Sequence, residues 1–484
     1  MLGQDAVSTT IPARITTSSD EAKELEKRPP PPYRRIAIVG AGAGGLVATR
    51  AFLAEKKFDV IDVYEQRERA GGTWNYTNET IECPVPSTDP REDLREDVSA
   101  VYQDLETNIP HPLMQFPDHP FPSGLPLFPH HESVLSYLLS YASPINHLIK
   151  YNTRVTKISR SPDNSSWHLT SISNAPNSTP TTNTYDAILL APGHYSHPFL
   201  PSLPGLSTFP ASKISHSHSF RSPDQYRNKR VLVIGNSASG YDIALHLSPL
   251  VQPPLLQAIR TPSPISAPNL IKPLPALTGF RGPGTAIFAD GSEEHDIDHI
   301  IFCTGYLYTL PFLSPPDRDV LITNGKRVAG LYHHVLTIHD PSIAVIGAPI
   351  KIVPFPLTHN QAGWVAGVWS GRVSVPGREE MRRWEKEEVV RRGGEARFEF
   401  FGFPHDAEYL DELAEMGGGG EWRMKKWDKK ERWVRKLTPE IKRRFGVRKR
   451  EGVVVRGLEE LGFVWDEENE VGRDLWEEGE GVGK

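Results

Sequence analysis

Short apolar runs alternate with glycine-rich turns and helical stretches near the start of the chain. The run 35–39 (Arg-Ile-Ala-Ile-Val) is too short for a helix and rich in β-branched residues, which predicts a buried strand. A glycine-rich turn at 40–45, a stretch of helical spacing at 46–54 and a second apolar run at 60–64 follow it. This order of strand, turn, helix and strand predicts a βαβ unit.

The same order returns in the middle of the chain. An apolar run at 230–234 leads into a glycine-containing turn at 235–240, a helical stretch at 241–247 and a strand-like run at 255–259. Two such units predict an α/β fold with two Rossmann-like dinucleotide-binding domains rather than a short-period repeat. Further apolar runs predict strands at 187–190, 300–302 and 343–346.

The two ends of the chain have a different pattern. Residues 1–32 are polar and end in four prolines, which predicts a disordered tail. From 376 onward the chain is charge-dense and helical in pattern, interrupted by four glycines at 417–420. We expect residues 376–484 to form a peripheral, charged helical extension.

Composition and charge exclude several classes of protein. The 484 residues carry a net charge of −6, and acidic residues interleave with the basic stretch 423–450, so we expect no nucleic-acid partner. Two cysteines exclude a disulfide scaffold and a redox dithiol. No apolar run is long enough to cross a membrane, and the first residues lack the pattern of a signal peptide. We therefore expect a cytoplasmic protein without a membrane span.

The first glycine turn fits a dinucleotide-binding motif. Gly40, Gly42 and Gly45 match GxGxxG between a predicted strand and helix, and Glu65 follows 20 residues later at the tip of the second strand. The glycines permit a tight turn, a close approach of a pyrophosphate and close packing of helix on strand. The helix N-terminus favours the phosphates, and Glu65 can accept hydrogen bonds from ribose hydroxyls.

The second glycine turn has a different residue at its strand tip. The motif positions here are Gly235, Ser237 and Gly240, so a serine stands where the middle glycine is expected. The serine hydroxyl can donate to a phosphate. Arg260 stands where the first unit has Glu65, and a guanidinium pairs with a 2′-phosphate that a carboxylate would repel. The first site should therefore favour FAD and the second NADPH over NADH, unless Arg260 is only a surface residue.

A glycine turn that begins six residues after Glu65 resembles a known family. The sequence Gly-Gly-Thr-Trp at 71–74 is similar to the FAD domain of the flavin-containing monooxygenases, the class B flavoprotein monooxygenases. The resemblance implies that Gly72 and Trp74 lie at the FAD. On the residues alone, the same turn is also compatible with a β-turn carrying a core tryptophan.

Later segments extend the resemblance to about residue 415. The segment 102–110 is similar to the family's Thr-Asn-x-Pro segment and implies that Asn108 is catalytic, beside flavin and nicotinamide; alternatively Asn108 caps a proline turn. The segments 191–195 and 303–306 resemble the two interdomain linkers. The stretch from 349 to 372 resembles fungal, including thiol-oxidising, members. The implied cofactor contacts in these later segments are Thr304, Gly305 and Gln361.

One family fingerprint is altered. The motif Phe-x-Gly-x-x-x-His-x-x-x-aromatic keeps His216 and Phe220, but Ser212 stands at the glycine position and Phe209 is displaced by one. His216 either orients the linker during movement of the nicotinamide or is a hydrogen-bonded loop histidine. Neither the His216–His218 pair nor the His333–His334 pair has acidic companions at ligand spacing, so we expect no metal site.

The resemblance implies how the chain is divided. We expect an FAD-binding domain at 33–200 and 303–375, with an NADPH-binding domain inserted at 201–302, before the extension. A homodimer is left open.

The resemblance also implies the reaction. NADPH reduces FAD, O2 forms a C4a-hydroperoxyflavin, and one oxygen atom passes to a soft sulfur or nitrogen atom of a small-molecule substrate. The alternatives are Baeyer–Villiger oxygenation of a ketone and an uncoupled NADPH oxidase that releases peroxide.

Overall fold

The computed structural model describes residues 33–80, 89–91, 98–261, 270–417 and 419–477. The tail predicted at 1–32 and Cys83 lie outside these residues. The strands are, in chain order, β1 Arg35–Val39, β2 Val60–Tyr64, β3 Ile149–Lys150, β4 Thr153–Arg160, β5 Trp167–Ser173, β6 Thr181–Tyr185, β7 Ala187–Leu190, β8 His197–Pro198, β9 Ile214–His216, β10 Val231–Ile234, β11 Leu255–Ala258, β12 Ile271–Leu274, β13 Leu277–Phe280, β14 Ala286–Phe288, β15 Glu293–Glu294, β16 His299–Phe302, β17 Tyr306–Leu307, β18 Leu331–Tyr332, β19 Leu336–Thr337, β20 Ile343–Val345, β21 Phe463–Asp466 and β22 Val471–Asp474. The helices are α1 Ala43–Glu55, α2 His111–Met114, α3 His131–Ala142, α4 Ala238–Leu247, α5 Pro315–Leu321, α6 Pro354–Trp369, α7 Arg378–Arg391, α8 His405–Met416 and α9 Lys429–Arg450.

The first sheet contains seven strands in the order β18-β19-β20-β7-β1-β2-β3. The strands from β20 to β3 are parallel, and β18 and β19 are antiparallel additions at one edge. Both faces are covered, as parallel sheets require. Helices α1 and α6 cover one face, where Phe52 and Trp369 stack with ring centroids 5.4 Å apart. The antiparallel sheet β4-β5-β6 covers the other, with Trp167 and Tyr185 fully buried.

The second sheet lies within the chain segment between β7 and β18. Its five strands are all parallel, in the order β12-β11-β10-β16-β9. Helix α4 packs on one face through Ile243 and Leu247, and the antiparallel sheet β13-β14-β15 packs on the other through Phe280 and Phe288. The predicted α/β fold with two Rossmann-like units, the second inserted into the first, is confirmed.

The predicted strands agree closely with the structure. Strands β1, β2 and β7 have the predicted bounds, and β10, β11, β16 and β20 differ by one residue at an end. The predicted helix 46–54 begins earlier, at Ala43, because the turn passes directly into the helix at its N-cap, Gly42. The two antiparallel covering sheets were not predicted.

The C-terminal region is helical as predicted, but the expectation that it is peripheral is wrong. Side chains of α8 and α9, including Leu410, Leu413 and Ile441, are buried in the same hydrophobic core as α1 and α6. Their apolar stripes face the protein, and most of their charged residues are at least partly exposed, although Asp406 and Arg444 are buried. The region also contains a hairpin, β21-β22, which Arg444 of α9 holds through Asp474 at 2.6 Å.

Within the described part of the chain, no helix is both long and apolar enough to cross a membrane.

The core position of α8 is testable by truncating one buried side chain. Leu410→Ala should lower the free energy of unfolding by about 2–5 kcal/mol, the usual cost of deleting a buried leucine side chain. Leu410 is 1% exposed, whereas Val390 of α7 is 79% exposed. Val390→Ala, measured in parallel by denaturant titration, should change stability by less than about 0.5 kcal/mol. Equal small effects of the two variants would contradict the shared core.

Candidate nucleotide sites and the domain crossing

The first glycine loop is shaped by two close approaches. Gly40 has φ +101°, and a Cβ there would lie 2.4 Å from the carbonyl oxygen of Ala191, directly after β7. A Cβ on Gly45 would lie 1.8 Å from the carbonyl oxygen of Gly40. Neither position accepts a side chain, so both glycines are required by the turn and by the packing of α1.

The Gly-Gly-Thr-Trp turn lies against this loop. A Cβ on Gly72 would lie 2.9 Å from Cα of Gly42, and the backbone N–H of Gly71 donates to the carbonyl of Ala41 at 3.0 Å. Trp74 ends a short 3-10 turn beginning at Gly72 and is half-buried. The structure thus brings Gly40, Gly42, Gly45, Gly72 and Trp74 together at the N-terminus of α1.

Glu65 lies at the carboxyl end of β2, beside the same loop. Its side chain is 4% exposed; Oε2 accepts the N–H of Ala41 at 2.8 Å and Oε1 accepts the N–H of Arg67 at 3.0 Å. These two hydrogen bonds fix the carboxylate of Glu65 against the glycine loop at the tip of β2.

The second glycine loop repeats this geometry. Gly235 has φ +106°, and its Cβ would lie 2.8 Å from the carbonyl oxygen of Cys303, directly after β16. A Cβ on Gly240 would lie 2.2 Å from the carbonyl oxygen of Gly235. Burial raises the pKa of the Cys303 thiol to about 12, which fits the packing role expected for it.

Ser237 and Arg260 lie on the open side of this loop. Ser237 is the N-cap of α4, but its side chain does not cap the helix; Oγ instead accepts from Nζ of Lys351 at 2.7 Å. Arg260 is exposed just beyond β11. Asn236 in the glycine loop donates to the carbonyl of Thr261 at 2.8 Å, which holds the strand tip and the loop together.

The two crossings between the sheets run side by side. Strands β8 and β17 pair antiparallel, and the N–H of Phe199 donates to the carbonyl of Gly305 at 2.9 Å. The hydroxyl of Thr304 donates back to the carbonyl of Phe199. Gly305 has φ +86°, a conformation that favours glycine. Thr304 and Gly305 therefore join the linkers to each other.

Buried histidines and a buried arginine lie beside the two linkers between the sheets. His216 is fully buried at the end of β9, and its Nδ1 accepts the backbone N–H of His218 at 3.1 Å. Within the described residues, neither ring nitrogen of His218 has a hydrogen-bond partner. Arg221 is 8% exposed and donates to the backbone carbonyls of His218, Phe220, Glu79 and Ser99. Ser212, at the altered fingerprint position, lies in a short 3-10 turn before β9.

The segment that carries Asn108 is anchored at both ends. The Tyr102 hydroxyl donates to the carboxylate of Asp242 in α4, and the carbonyl of Thr107 accepts from Nζ of Lys442 in α9 at 2.7 Å. The Asn108 side chain is exposed between these anchors. Its amide is thus presented from a fixed backbone rather than from a free loop.

Gln361 has a different environment from the other predicted cofactor contacts. It is completely buried in α6, where Oε1 accepts the N–H of Gly347 at 2.8 Å and Nε2 donates to the Tyr409 hydroxyl at 3.0 Å. The amide holds the end of β20 and α8 in place, so a direct contact of Gln361 with a cofactor stays a prediction.

Sequence patterns alone did not single out Lys351, Arg221, Asp242 or Lys442. Their partners are backbone carbonyls or residues more than 100 positions away, which no local spacing encodes. The sequence around Lys351 indicates only a likeness to the family and no role for the lysine itself.

Two glycine loops, each at the carboxyl end of a central strand in a parallel sheet, define an α/β protein with two Rossmann-like nucleotide folds. The chain belongs to the flavin-binding monooxygenase-like (FMO-like) family, whose model matches residues 33–263 and 274–419. It is accordingly a flavoprotein oxidoreductase, a monooxygenase enzyme.

Curated plant relatives match most of the chain. Flavin-containing monooxygenase FMO GS-OX-like 7 from Arabidopsis thaliana is 33% identical over 373 residues, covering 73% of this chain and 77% of that protein. Flavin-containing monooxygenase FMO GS-OX4 from the same plant is 32% identical over 410 residues, covering 80% and 85%.

Solved structures also match most of the chain. The S-allyl-L-cysteine S-oxygenase from Allium sativum superposes with a TM-score of 0.73 at 28% identity, over 90% of this chain and 96% of that one. Tmm from a Pelagibacter strain gives 0.70 at 27% identity, over 85% and 90%. Cyclohexanone monooxygenase, at 14% identity and a TM-score of 0.53, shares the fold alone.

The buried histidines predict an acid limit to stability. Burial lowers the pKa of His216 to about 3 and that of His218 to about 4, and the Arg221 and Arg67 guanidinium groups further lower the latter. The unfolded chain takes up these protons near pH 6.5, so folding loses stability as the pH falls from about 6.5 towards 4. Above pH 6.5 their contribution is constant.

Thermal melts at pH 4.5 to 8 check this effect. His218→Gln cannot take up the proton, so its melting temperature should fall less steeply with acid than that of the unaltered protein. His147→Gln, at an exposed histidine, is the control and should follow the unaltered curve. Parallel curves for all three proteins would contradict the assignment to His218.

Proposed function

We propose that this protein is an FAD- and NADPH-dependent monooxygenase that transfers one oxygen atom from O2 to a soft sulfur or nitrogen atom of a small molecule. The observation that carries the proposal is the contrast between the two strand tips. Glu65 is buried against the first glycine loop, whereas Arg260 is exposed beside the second. A carboxylate at the strand tip accepts hydrogen bonds from ribose hydroxyls, whereas an arginine there accommodates a 2′-phosphate.

The first loop fits FAD. A Cβ on Gly72 would lie only 2.9 Å from Cα of Gly42, so this turn presents bare backbone against which a pyrophosphate can lie. No side chain caps α1, so its first N–H groups are available to phosphate oxygens. Glu65 would hold the adenosine ribose.

The second loop fits NADPH. Ser237 turns its hydroxyl away from the helix it begins, and the guanidinium of Arg260 is in reach of solvent. A guanidinium at this position pairs with a 2′-phosphate through two hydrogen bonds, which a nucleotide lacking that phosphate cannot use. The pairing of the two linkers, β8 and β17, supports the proposal that both nucleotides act together.

The chemistry is that of the bound flavin, which takes electrons from NADPH and activates O2. In balance, substrate, O2, NADPH and a proton give oxygenated substrate, water and NADP⁺. The chain's own residues bind and orient: Glu65 and the glycine loops hold the nucleotides, and the anchored segment presents the Asn108 amide to the reacting groups.

Sulfur is the preferred acceptor within this proposal. The Allium sativum S-oxygenase, named for oxygenating S-allyl-L-cysteine, matches nine tenths of the chain. The ketone-oxygenating alternative has support from the fold alone, at 14% identity. The expected likeness to fungal, thiol-oxidising members, the domain bounds, a homodimer and a cytoplasmic location stay predictions.

An NADPH-consumption screen with oxygen uptake and peroxide measured alongside tests the function. Sulfides and thiols, then amines, should raise NADPH consumption and yield one oxygenated product per NADPH. Ketone-only turnover would favour the Baeyer–Villiger alternative. Stoichiometric peroxide with every compound would favour the uncoupled oxidase.

Arg260→Ala tests the choice of nucleotide. Loss of the charge-assisted pair with the 2′-phosphate should raise the Kd of NADPH about 10- to 100-fold, since such bonds contribute about 1.5–3 kcal/mol. Binding of NADH, measured by calorimetry on the same samples, should change less than twofold. An equal loss for both nucleotides would contradict the 2′-phosphate assignment.

Asn108→Ala tests the catalytic residue. Without the amide, oxygen activation should be less well coupled to transfer, so the peroxide formed per NADPH should rise several-fold with sulfide present. Gln103→Ala, which removes an exposed amide from the same segment, is the matched control. Unchanged coupling in Asn108→Ala, with the control also unchanged, would exclude Asn108 from the reaction.

A further inference from the structure

Lys351 belongs to the part of the chain that forms the first sheet, but its side chain contacts the glycine loop of the second sheet. It lies between β20 and α6, yet its Nζ donates to Oγ of Ser237 at the start of α4, 2.7 Å away. The side chain is exposed, so a ligand at this loop has access to it. This contact bridges the two sheets at the edge where the second nucleotide is proposed to bind.

The backbone of Lys351 is held in an unusual conformation. Its φ is +60°, a left-handed value that lysine rarely adopts. The carbonyl accepts the N–H of Gly402 at 3.0 Å and Nη2 of Arg435 at 3.1 Å. Arg435 is itself fixed by the buried carboxylate of Asp406, 2.6 Å away. The C-terminal region therefore supports the conformation that aims Lys351 at Ser237.

The charges around this contact favour an anion. Among the described residues, Lys351 forms no ion pair with a carboxylate, and partial burial together with the Arg435 guanidinium lowers the pKa of its ammonium group. Ser237 leaves the first N–H groups of α4 uncapped. An ammonium group, a hydroxyl and a positive helix end thus converge without a negative partner.

A neutral hydroxyl is a weak acceptor for an ammonium group compared with a phosphate oxygen. Charge-assisted hydrogen bonds to phosphate are shorter and roughly twice as strong as neutral ones. A pyrophosphate at this loop would lie among the α4 N–H groups and within the range of the flexible lysine side chain.

We propose that Lys351 binds the pyrophosphate of the nicotinamide nucleotide, giving that site a cation from the other sheet's part of the chain. The inference rests on the proposed function, because it names a further binding residue of the same site. It also gives the C-terminal region a role in nucleotide binding, through the support of Lys351 by Arg435 and Gly402.

The pyrophosphate assignment distinguishes Lys351 from Arg260. NADPH and NADH share the pyrophosphate and differ in the 2′-phosphate. Removing the Lys351 charge should therefore weaken both nucleotides by the same factor, whereas removing Arg260 should affect NADPH selectively.

Calorimetric titration of the FAD-loaded enzyme with NADP⁺ and with NAD⁺ tests the inference. Lys351→Met keeps the length of the side chain and should raise both Kd values about 10- to 100-fold. Lys351→Arg keeps the charge and should stay within about threefold of the unaltered protein. Lys57→Met, at an exposed lysine beyond the far end of α1, is the control and should change neither Kd.

The outcomes separate the inference from the proposed function. If the unaltered enzyme binds both nucleotides and Lys351→Met binds them equally well, the inference is wrong and the function stands. A loss for NADP⁺ alone would assign Lys351 to the 2′-phosphate and overturn the pyrophosphate assignment. If the unaltered enzyme binds neither nucleotide, the proposed function itself fails. Flavin content and melting temperature identify misfolding, in which case Lys351→Gln replaces Lys351→Met with the same expected loss.

Discussion

The close approach of each glycine loop to the chain leaving the neighbouring strand is the constraint on which the rest of the site depends. Gly40 passes over the carbonyl of Ala191, and Gly235 passes over the carbonyl of Cys303. Ala191 and Cys303 are also the residues at which the chain departs for the other sheet. The shape of each nucleotide loop and the start of each linker are therefore set by one contact, so a change at either glycine would displace both.

The pairing of the linkers carries this constraint from one sheet to the other. Strands β8 and β17 hold the two crossings together through backbone hydrogen bonds, which do not depend on side-chain identity. Around them, the guanidinium of Arg221 donates hydrogen bonds to four backbone carbonyls. Asp242 and Lys442 tie the segment of Asn108 to α4 and α9. The segment of Asn108, α4 and α9 are thus three separate parts of the chain that meet at this place.

The repeated unit and its glycines could be predicted from sequence because their information is local. Strand, turn and helix follow each other within about thirty residues, and steric rules require glycine at defined positions. The position of α8 and α9 could not, because a charge-dense sequence conceals the narrow apolar stripe that joins the core. The contacts of Lys351 and Gln361 also escaped, since each depends on partners distant in sequence. For Gln361, the structure shows an amide bonded to Gly347 and Tyr409, and the cofactor contact that the family likeness implies stays a prediction.

The two nucleotide loops differ in how much of their polar surface the protein itself satisfies. In the first, the N–H of Ala41 is bonded to Glu65, and the turn at Gly72 closes against Gly42. In the second, Arg260 is exposed and the Ser237 hydroxyl accepts a hydrogen bond from Lys351, which belongs to another part of the chain. When a ligand leaves after each turnover, the protein groups that bound it must form hydrogen bonds with solvent or with a mobile side chain instead. A ligand that stays has no such requirement. The asymmetry therefore fits a retained flavin at the first loop and an exchanging nicotinamide nucleotide at the second.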